Sequence, residues 1–383
     1  MKKFVSVLLA FVMIIPIALM GGGATCSEND PDFASVKNVI LFIGDGMGFE
    51  HVKAAEIYAG KPMVFDEFDF KTQSDTDNAW DEVTDSAAGA TALSCGVRTL
   101  NGYLGKNEDG EDLKTIMDYS KDLGKLTGVV TSDYLTGATP SGFSAHSNDR
   151  NDSYQIINTQ AEGGVDFLAG DYSENYITNK LKFTKQGYEF YDSLDNIDPN
   201  KKALIMGEVE PVAGQTEDGT PYMMLDEMVD AAIDYLSRDE DGFTLMVEGA
   251  YIDKCSHGND GEGMVKNLVA FNKAVKKAVE FASDRTDTVI IITADHETGG
   301  LTVGSGATKD KMINGNFDDL NWTTGSHTGA RVPVFVRAAQ NLEPMLFSTS
   351  GDKGYLNNKD IFLYMLSCVK GERVNKVESP DDY

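Results

Sequence analysis

Short apolar runs bounded by turn residues recur at residues 36–43, 127–131, 203–206, 243–247, 288–293 and 332–336. They are rich in Val, Ile, Leu and Thr, and runs of this length predict buried strands. Segments of helical spacing lie between several of them. Residues 221–236 present a Met, Leu, Ala and Tyr face, with Thr220 as the expected N-cap and Pro221 at the first helical position. Residues 263–282 repeat apolar positions at Val265, Leu268, Val269, Val275 and Val279. Strands alternating with helices predict an α/β protein, a three-layer α/β/α sandwich with a central, mostly parallel sheet. No repeat or low-complexity linker interrupts the pattern, so residues 26–383 are expected to form one domain.

The first segment breaks the pattern. Lys2 and Lys3 precede an apolar stretch from Phe4 to Met20, followed by Gly21-Gly22-Gly23-Ala24. This is the layout of a signal peptide over residues 1–25, and it predicts an extracytoplasmic location, periplasmic, secreted or on the surface. Cys26 then stands where a lipid-modified cysteine would anchor a bacterial precursor to the membrane, although Thr25 is awkward for that processing. The four cysteines do not make a disulfide framework, and Cys95, Cys255 and Cys368 are expected as small, mostly buried residues.

Composition narrows the partners. The net charge of −28 leaves no basic footprint for nucleic acid and none for anionic lipid. Small molecules remain, and an acidic protein that binds an anion needs local cations.

Candidate chemistry gathers where the expected strands end, as ligands do in open α/β sheets. Gly44-Asp45-Gly46-Met47-Gly48 follows the first strand. Glu248 and a segment running to Asp253, Lys254 and His257 follow the fourth. Asp295-His296-Glu297-Thr298-Gly299-Gly300 follows the fifth. Asp253 and His257 are spaced to share one face of a helical turn. Only five histidines exist, and His257, His296 and His327 all sit in such settings. Mixed nitrogen and oxygen donors of this kind suit zinc. Asp85-Ser86-Ala87-Ala88 adds a serine at the head of a small-residue run, where a helix start could present it as a nucleophile.

Together these segments resemble the alkaline phosphatase family. GDGMG, TDSAAGATA, ATPSGFSAHSNDR, VEGAYIDKCSH, TADHETGG and SHTGA occur in the family's order, from about Val36 to the last strand. The resemblance implies two Zn2+ and one Mg2+ per chain. Asp253, His257 and His327 would hold one zinc. Asp45, Asp295, His296 and the Ser86 oxygen would hold the other. Asp45, Thr139 and Glu248 would hold magnesium. Ser86 would attack the phosphorus, Arg150 would grip the phosphoryl oxygens with Asp85 orienting it, and zinc-bound hydroxide would release the phosphoseryl intermediate as inorganic phosphate. On formal charges the loaded pocket carries about +3, which reconciles an acidic chain with a dianionic substrate. A homodimer is left open.

Two positions depart from the family pattern. The residue before Ala138-Thr139-Pro140 is commonly Asp or His in the family, and here it is Gly137. The residue after Asp253 varies in relatives, and here Lys254 adds a cation that could contact phosphate through water. A looser third metal, dependent on added magnesium, is the expectation. Other readings fit less well. A sulfatase would need an Arg after its nucleophile segment, a diesterase commonly lacks the Arg150 equivalent, and a non-catalytic binder would have lost a site residue.

Overall fold

The computed structural model describes residues 33–338, apart from 213 and 218, and residues 354–376. The expected signal peptide and Cys26 lie outside the described residues.

Ten strands form one sheet. In chain order they are β1 (Asn38–Gly44), β2 (Phe70–Asp75), β3 (Leu126–Tyr134), β4 (Phe167–Asp171), β5 (Tyr188–Tyr191), β6 (Lys202–Gly207), β7 (Phe243–Gly249), β8 (Thr288–Thr293), β9 (Val332–Arg337) and β10 (Leu356–Asn357). Their order across the sheet is β10-β2-β9-β8-β1-β7-β3-β4-β6-β5. Every pairing is parallel except those of β9 with β2 and β8.

The six apolar runs all became strands of this sheet. Central strands are buried on both faces, so they read as unbroken apolar runs. Alternate residues nevertheless serve different cores. Ile40 and Phe42 pack with the helices Phe49–Ala59, Leu225–Leu236 and Gly261–Phe281. Val39, Leu41 and Ile43 pack on the opposite face, with the helices Ile116–Asp122 and Asn358–Lys370. The result is the expected three-layer sandwich.

One predicted boundary is corrected. The helix expected from Pro221 begins at Leu225, behind Met224 rather than Thr220. Pro221 and Met223 lie instead in bridges that precede the helix. Pro221 bridges to Gln215, and Met223 bridges to Val209. The Met223 amide donates to Glu208 O at 2.8 Å, so this segment satisfies its backbone groups as a ribbon and the helix starts late. The second helix runs Gly261–Phe281, with Asp260 capping Gly263 N.

Register places the site. Ile43 of β1 pairs with Glu248 of β7 and with Thr293 of β8, while Thr131 of β3 also pairs with Glu248. Four neighbouring strands therefore end at one level, and their following loops emerge together.

Candidate active site

Ser86 opens the helix Ser86–Cys95. All ten residues of that helix are buried, and their small size is a packing requirement. A Cβ on Gly89 would lie 2.9 Å from Asp295 O. On the other side, a Cβ on Gly142 of the helix Ala138–Ser144 would lie 2.8 Å from Ala90 Cβ. The serine is thereby pressed against the loop that carries Asp295 and His296.

Asp85 does two things at once. Its Oδ1 accepts from Ala88 N at 3.0 Å, which caps the helix. Its Oδ2 accepts from Arg150 Nη1 at 3.0 Å and from Gly102 N at 2.9 Å. The guanidinium is thus aimed at the helix start by the residue preceding Ser86.

Two clusters of donors surround the serine. In the first, His296 Nε2 stands 3.2 Å from Ser86 Oγ, 3.4 Å from Asp45 Oδ1 and 3.3 Å from Asp295 Oδ2. Its other nitrogen, Nδ1, is 3.2 Å from Thr298 Oγ1. The Thr298 hydroxyl itself donates to Asp253 Oδ1 at 2.5 Å, so it accepts from His296 Nδ1–H. His296 Nε2 therefore presents a lone pair to two carboxylate oxygens. Asp45 Oδ1 and Asp295 Oδ2 are buried without a hydrogen-bond donor. Four donors at tetrahedral corners around one zinc ion stand about 3.3 Å apart, given ~2.0–2.1 Å bonds. The chain's own spacing fits that cation.

The second cluster has the same logic. His257 Nδ1 donates to Gly325 O at 2.8 Å, and His327 Nδ1 donates to Thr84 O at 2.9 Å. When neutral, as a metal requires, both rings turn bare Nε2 atoms toward each other, 3.1 Å apart. Asp253 Oδ2 lies 3.3 Å from His257 Nε2, and Asp253 Oδ1 lies 3.6 Å from His327 Nε2. Opposed lone pairs beside a carboxylate suit a cation, and backbone carbonyls fixing the tautomers are a usual arrangement around one. Asp253, His296 and His327 also converge closely enough to hold a metal ion, as do Asp45, Asp295 and His296.

Thr139 Oγ1 is buried beside Glu248, whose Oε2 accepts from Thr131 Oγ1. The proton affinities report the crowding. Burial, then repulsion from Asp295, Asp253 and Glu248, pushes Asp45 well above the carboxylate range. Burial and then Asp133 push Glu248 up to about 8, and burial and then Asp253 push Asp295 up to about 6. Burial would also raise Asp253, but its hydrogen bond from His257 and the nearby His296 outweigh that and hold it at about 2. So many buried carboxylates are costly without cations among them.

The comparisons decide the family. A family model described as alkaline phosphatase matches residues 36–187 and 182–316. The chain belongs to the alkaline phosphatase family. It is 32% identical over 338 residues to alkaline phosphatase 3 of Bacillus subtilis, covering 80% of this chain and 72% of that one. It is 31% identical over 382 residues to the alkaline phosphatase of Escherichia coli, covering 78% and 80%. A mutant alkaline phosphatase from the Antarctic bacterium TAB5, solved with magnesium in its M3 site, superposes with a TM-score of 0.73 at 26% identity, covering 88% and 98%. Membership makes the chain a metal-binding hydrolase of phosphate monoesters.

Asp45, Ser86, Asp253, His257, Asp295, His296 and His327 lie together beyond the ends of the central strands. Arg150 reaches this group through Asp85. Lys254 reaches it through an ion pair with Asp133, 2.5 Å between Nζ and Oδ1. Sequence reasoning passed over Thr131, the last residue of an expected strand, and Asp133, two residues beyond it. Glu297 is structural: it accepts from Gly300 N and Leu301 N at 3.2 Å and from Thr328 Oγ1, fixing the ribbon that carries His327.

Proposed function

We propose that this alkaline phosphatase family member cleaves phosphate monoesters through a phosphoseryl intermediate on Ser86, with two Zn2+ and one Mg2+ as cofactors. The observation that carries this is the set of three oxygens, Ser86 Oγ among them, facing the bare Nε2 of His296 at 3.2–3.4 Å. Asp45, Asp295, His296 and Ser86 would hold one zinc, Asp253, His257 and His327 the other, and Asp45, Thr139 and Glu248 the magnesium.

When bound, the cations supply Lewis acidity that lowers the proton affinity of the serine hydroxyl and neutralises charge on the attacking and leaving oxygens. Ser86 Oγ attacks phosphorus in line with the leaving alcohol, whose P–O bond breaks. Water then cleaves the Ser86–phosphate bond and regenerates the hydroxyl. Arg150, held by Asp85, grips two phosphoryl oxygens with its planar fork, which positions the group through both displacements. Burial of Ser86 and His296 keeps bulk water from competing before substrate arrives.

The leader at residues 1–25 supports an extracytoplasmic location within the same reading, with residues 26–383 as one catalytic domain. The test compares a phosphate monoester, a phosphate diester and a sulfate ester of one chromogenic alcohol. Hydrolysis confined largely to the monoester, abolished in Ser86→Ala, is the expected result. Substantial turnover by Ser86→Ala overturns the covalent route.

A further inference from the structure

Asp133 is buried near the end of β3, outside every segment in which the sequence suggested a site residue. Its amide donates to Thr131 Oγ1 at 2.9 Å, and that hydroxyl donates to Glu248 Oε2. Its two carboxylate oxygens face different neighbours. Oδ1 is 2.5 Å from Lys254 Nζ. Oδ2 would be 3.1 Å from a Cβ built on Gly137. The register of β3 against β4 shifts between Val130 and Tyr134, and such an irregularity re-aims the side chains beside it.

The Asp133 carboxylate therefore sits where a side chain at position 137 would project. That position commonly carries Asp or His in related enzymes, and the glycine alone pointed to a loosened third metal. We propose that Asp133 replaces the missing side chain from a different point on the backbone: it anchors Lys254 beside the phosphate site and supplies the negative charge that flanks the third cation. The inference rests on the third-metal reading given above.

Charge and packing agree with it. Thr131 Oγ1 accepts from the Asp133 amide and donates to Glu248 Oε2, so the two acids share one neighbourhood. Lys254 also lies 4.6 Å from the Tyr251 ring centroid, which steadies the ammonium from its other side. Gly137 itself has φ −55° and ψ 156°, a conformation open to any residue. A Cβ there would meet Tyr134 O at 3.0 Å and Asp133 Oδ2 at 3.1 Å, so the absence of a side chain is a matter of space that Asp133 shares with the backbone.

The experiment is a positional swap read by magnesium binding. Zinc-loaded protein is dialysed against magnesium-free buffer and titrated with MgCl2 by calorimetry, with zinc content and circular dichroism as controls. Asp133→Ala is expected to weaken magnesium binding by about 10- to 100-fold, the usual cost of losing an outer partner of a metal site. Asp133→Ala combined with Gly137→Asp is expected to recover most of that loss, which a merely structural role for Asp133 would not allow. Asp133→Asn, which keeps the shape, gives the same readout should the alanine variant fold poorly. Unchanged magnesium affinity in Asp133→Ala or Asp133→Asn overturns the proposal, as does a folded double variant that recovers nothing. A parent protein that takes up no magnesium overturns the third-metal reading and this inference with it.

Discussion

The Ser86 hydroxyl stands 3.2 Å from His296 Nε2, the spacing of a serine–histidine pair, yet His296 is unsuited to act as the base. Burial holds its proton affinity down to about 4. The same nitrogen also faces Asp45 and Asp295 at 3.4 and 3.3 Å. A general base works best with a pKa near the operating pH, and a lone pair that faces two carboxylate oxygens is one donor among several for a cation. Activity is therefore expected to vanish on dialysis against a zinc chelator and to return with added zinc. The fall should reach at least about two to three orders of magnitude, the cost of losing a single preorganised stabiliser in other hydrolases. A chelated enzyme that keeps most of its rate would restore the serine–histidine alternative.

The two oxygens of Asp85 make separable predictions. Asp85→Asn keeps a side chain that caps helices as well as Asp does, so its melting temperature should match that of the parent. It loses the charge opposite Arg150, and hydrogen bonds to charged groups contribute about 1.5–3 kcal/mol. Inhibition by inorganic phosphate should weaken by roughly tenfold or more. Asp85→Ala should show the same weakening and, in addition, lose about 1 kcal/mol of stability with the cap. Thermal melts and phosphate inhibition constants, measured side by side, separate the two roles.

The chelated protein should be a pH-sensitive fold. Glu248 rises from an ordinary 4.5 to about 8 through burial and then Asp133. His257 rises from 6.5 to about 9, chiefly through its hydrogen bond to Asp253. Both bind protons more tightly folded than unfolded, so both stabilise at low pH and lose that contribution as pH rises through the folded value. The lowered values of His51 and His296, which burial brings to about 4, act in the opposite sense but only below about 6.5. Between about pH 7 and 9 the signs of these shifts agree. The melting temperature of metal-free protein should fall across that range, and that of zinc- and magnesium-loaded protein should fall much less. Scanning calorimetry at several pH values with and without chelator checks this, and parallel curves would count against the crowded carboxylates as its cause.

Much of this was legible in the sequence, for identifiable reasons. The central strands announced themselves because burial on both faces leaves continuous apolar runs such as Asn38–Gly44 and Thr288–Thr293. β2 did not, because Phe70-Lys71-Thr72-Gln73-Ser74-Asp75 has only Phe70 and Ser74 buried. β5 and β10 are short and lie at the sheet edges, where little apolar signal is required. Histidines and acids beside glycines marked the metal clusters. Asp133 stayed hidden because its meaning depends on the missing side chain at Gly137, four residues away, and that is a relation between positions. Asp85 was expected to orient Arg150, and the structure has it capping the helix as well.

The last prediction concerns Gly89, in the middle of the serine-bearing helix. By propensity alone Gly89→Ala should stabilise that helix by about 1 kcal/mol. The added methyl, however, would lie 2.9 Å from Asp295 O and 3.0 Å from Asp295 Cβ. A backbone oxygen cannot rotate away, so the helix or the loop must move. Overpacking of this kind costs roughly 1–3 kcal/mol, enough to cancel or exceed the propensity gain. The movement separates Ser86 from Asp295 and His296, and a misplacement of about 1 Å can cost about 10²-fold in rate. Gly89→Ala is therefore expected to melt no higher than the parent while losing far more activity than stability, with zinc content reduced. A more stable and fully active variant would mean that the contact between this helix and the Asp295 loop does not set the position of the nucleophile.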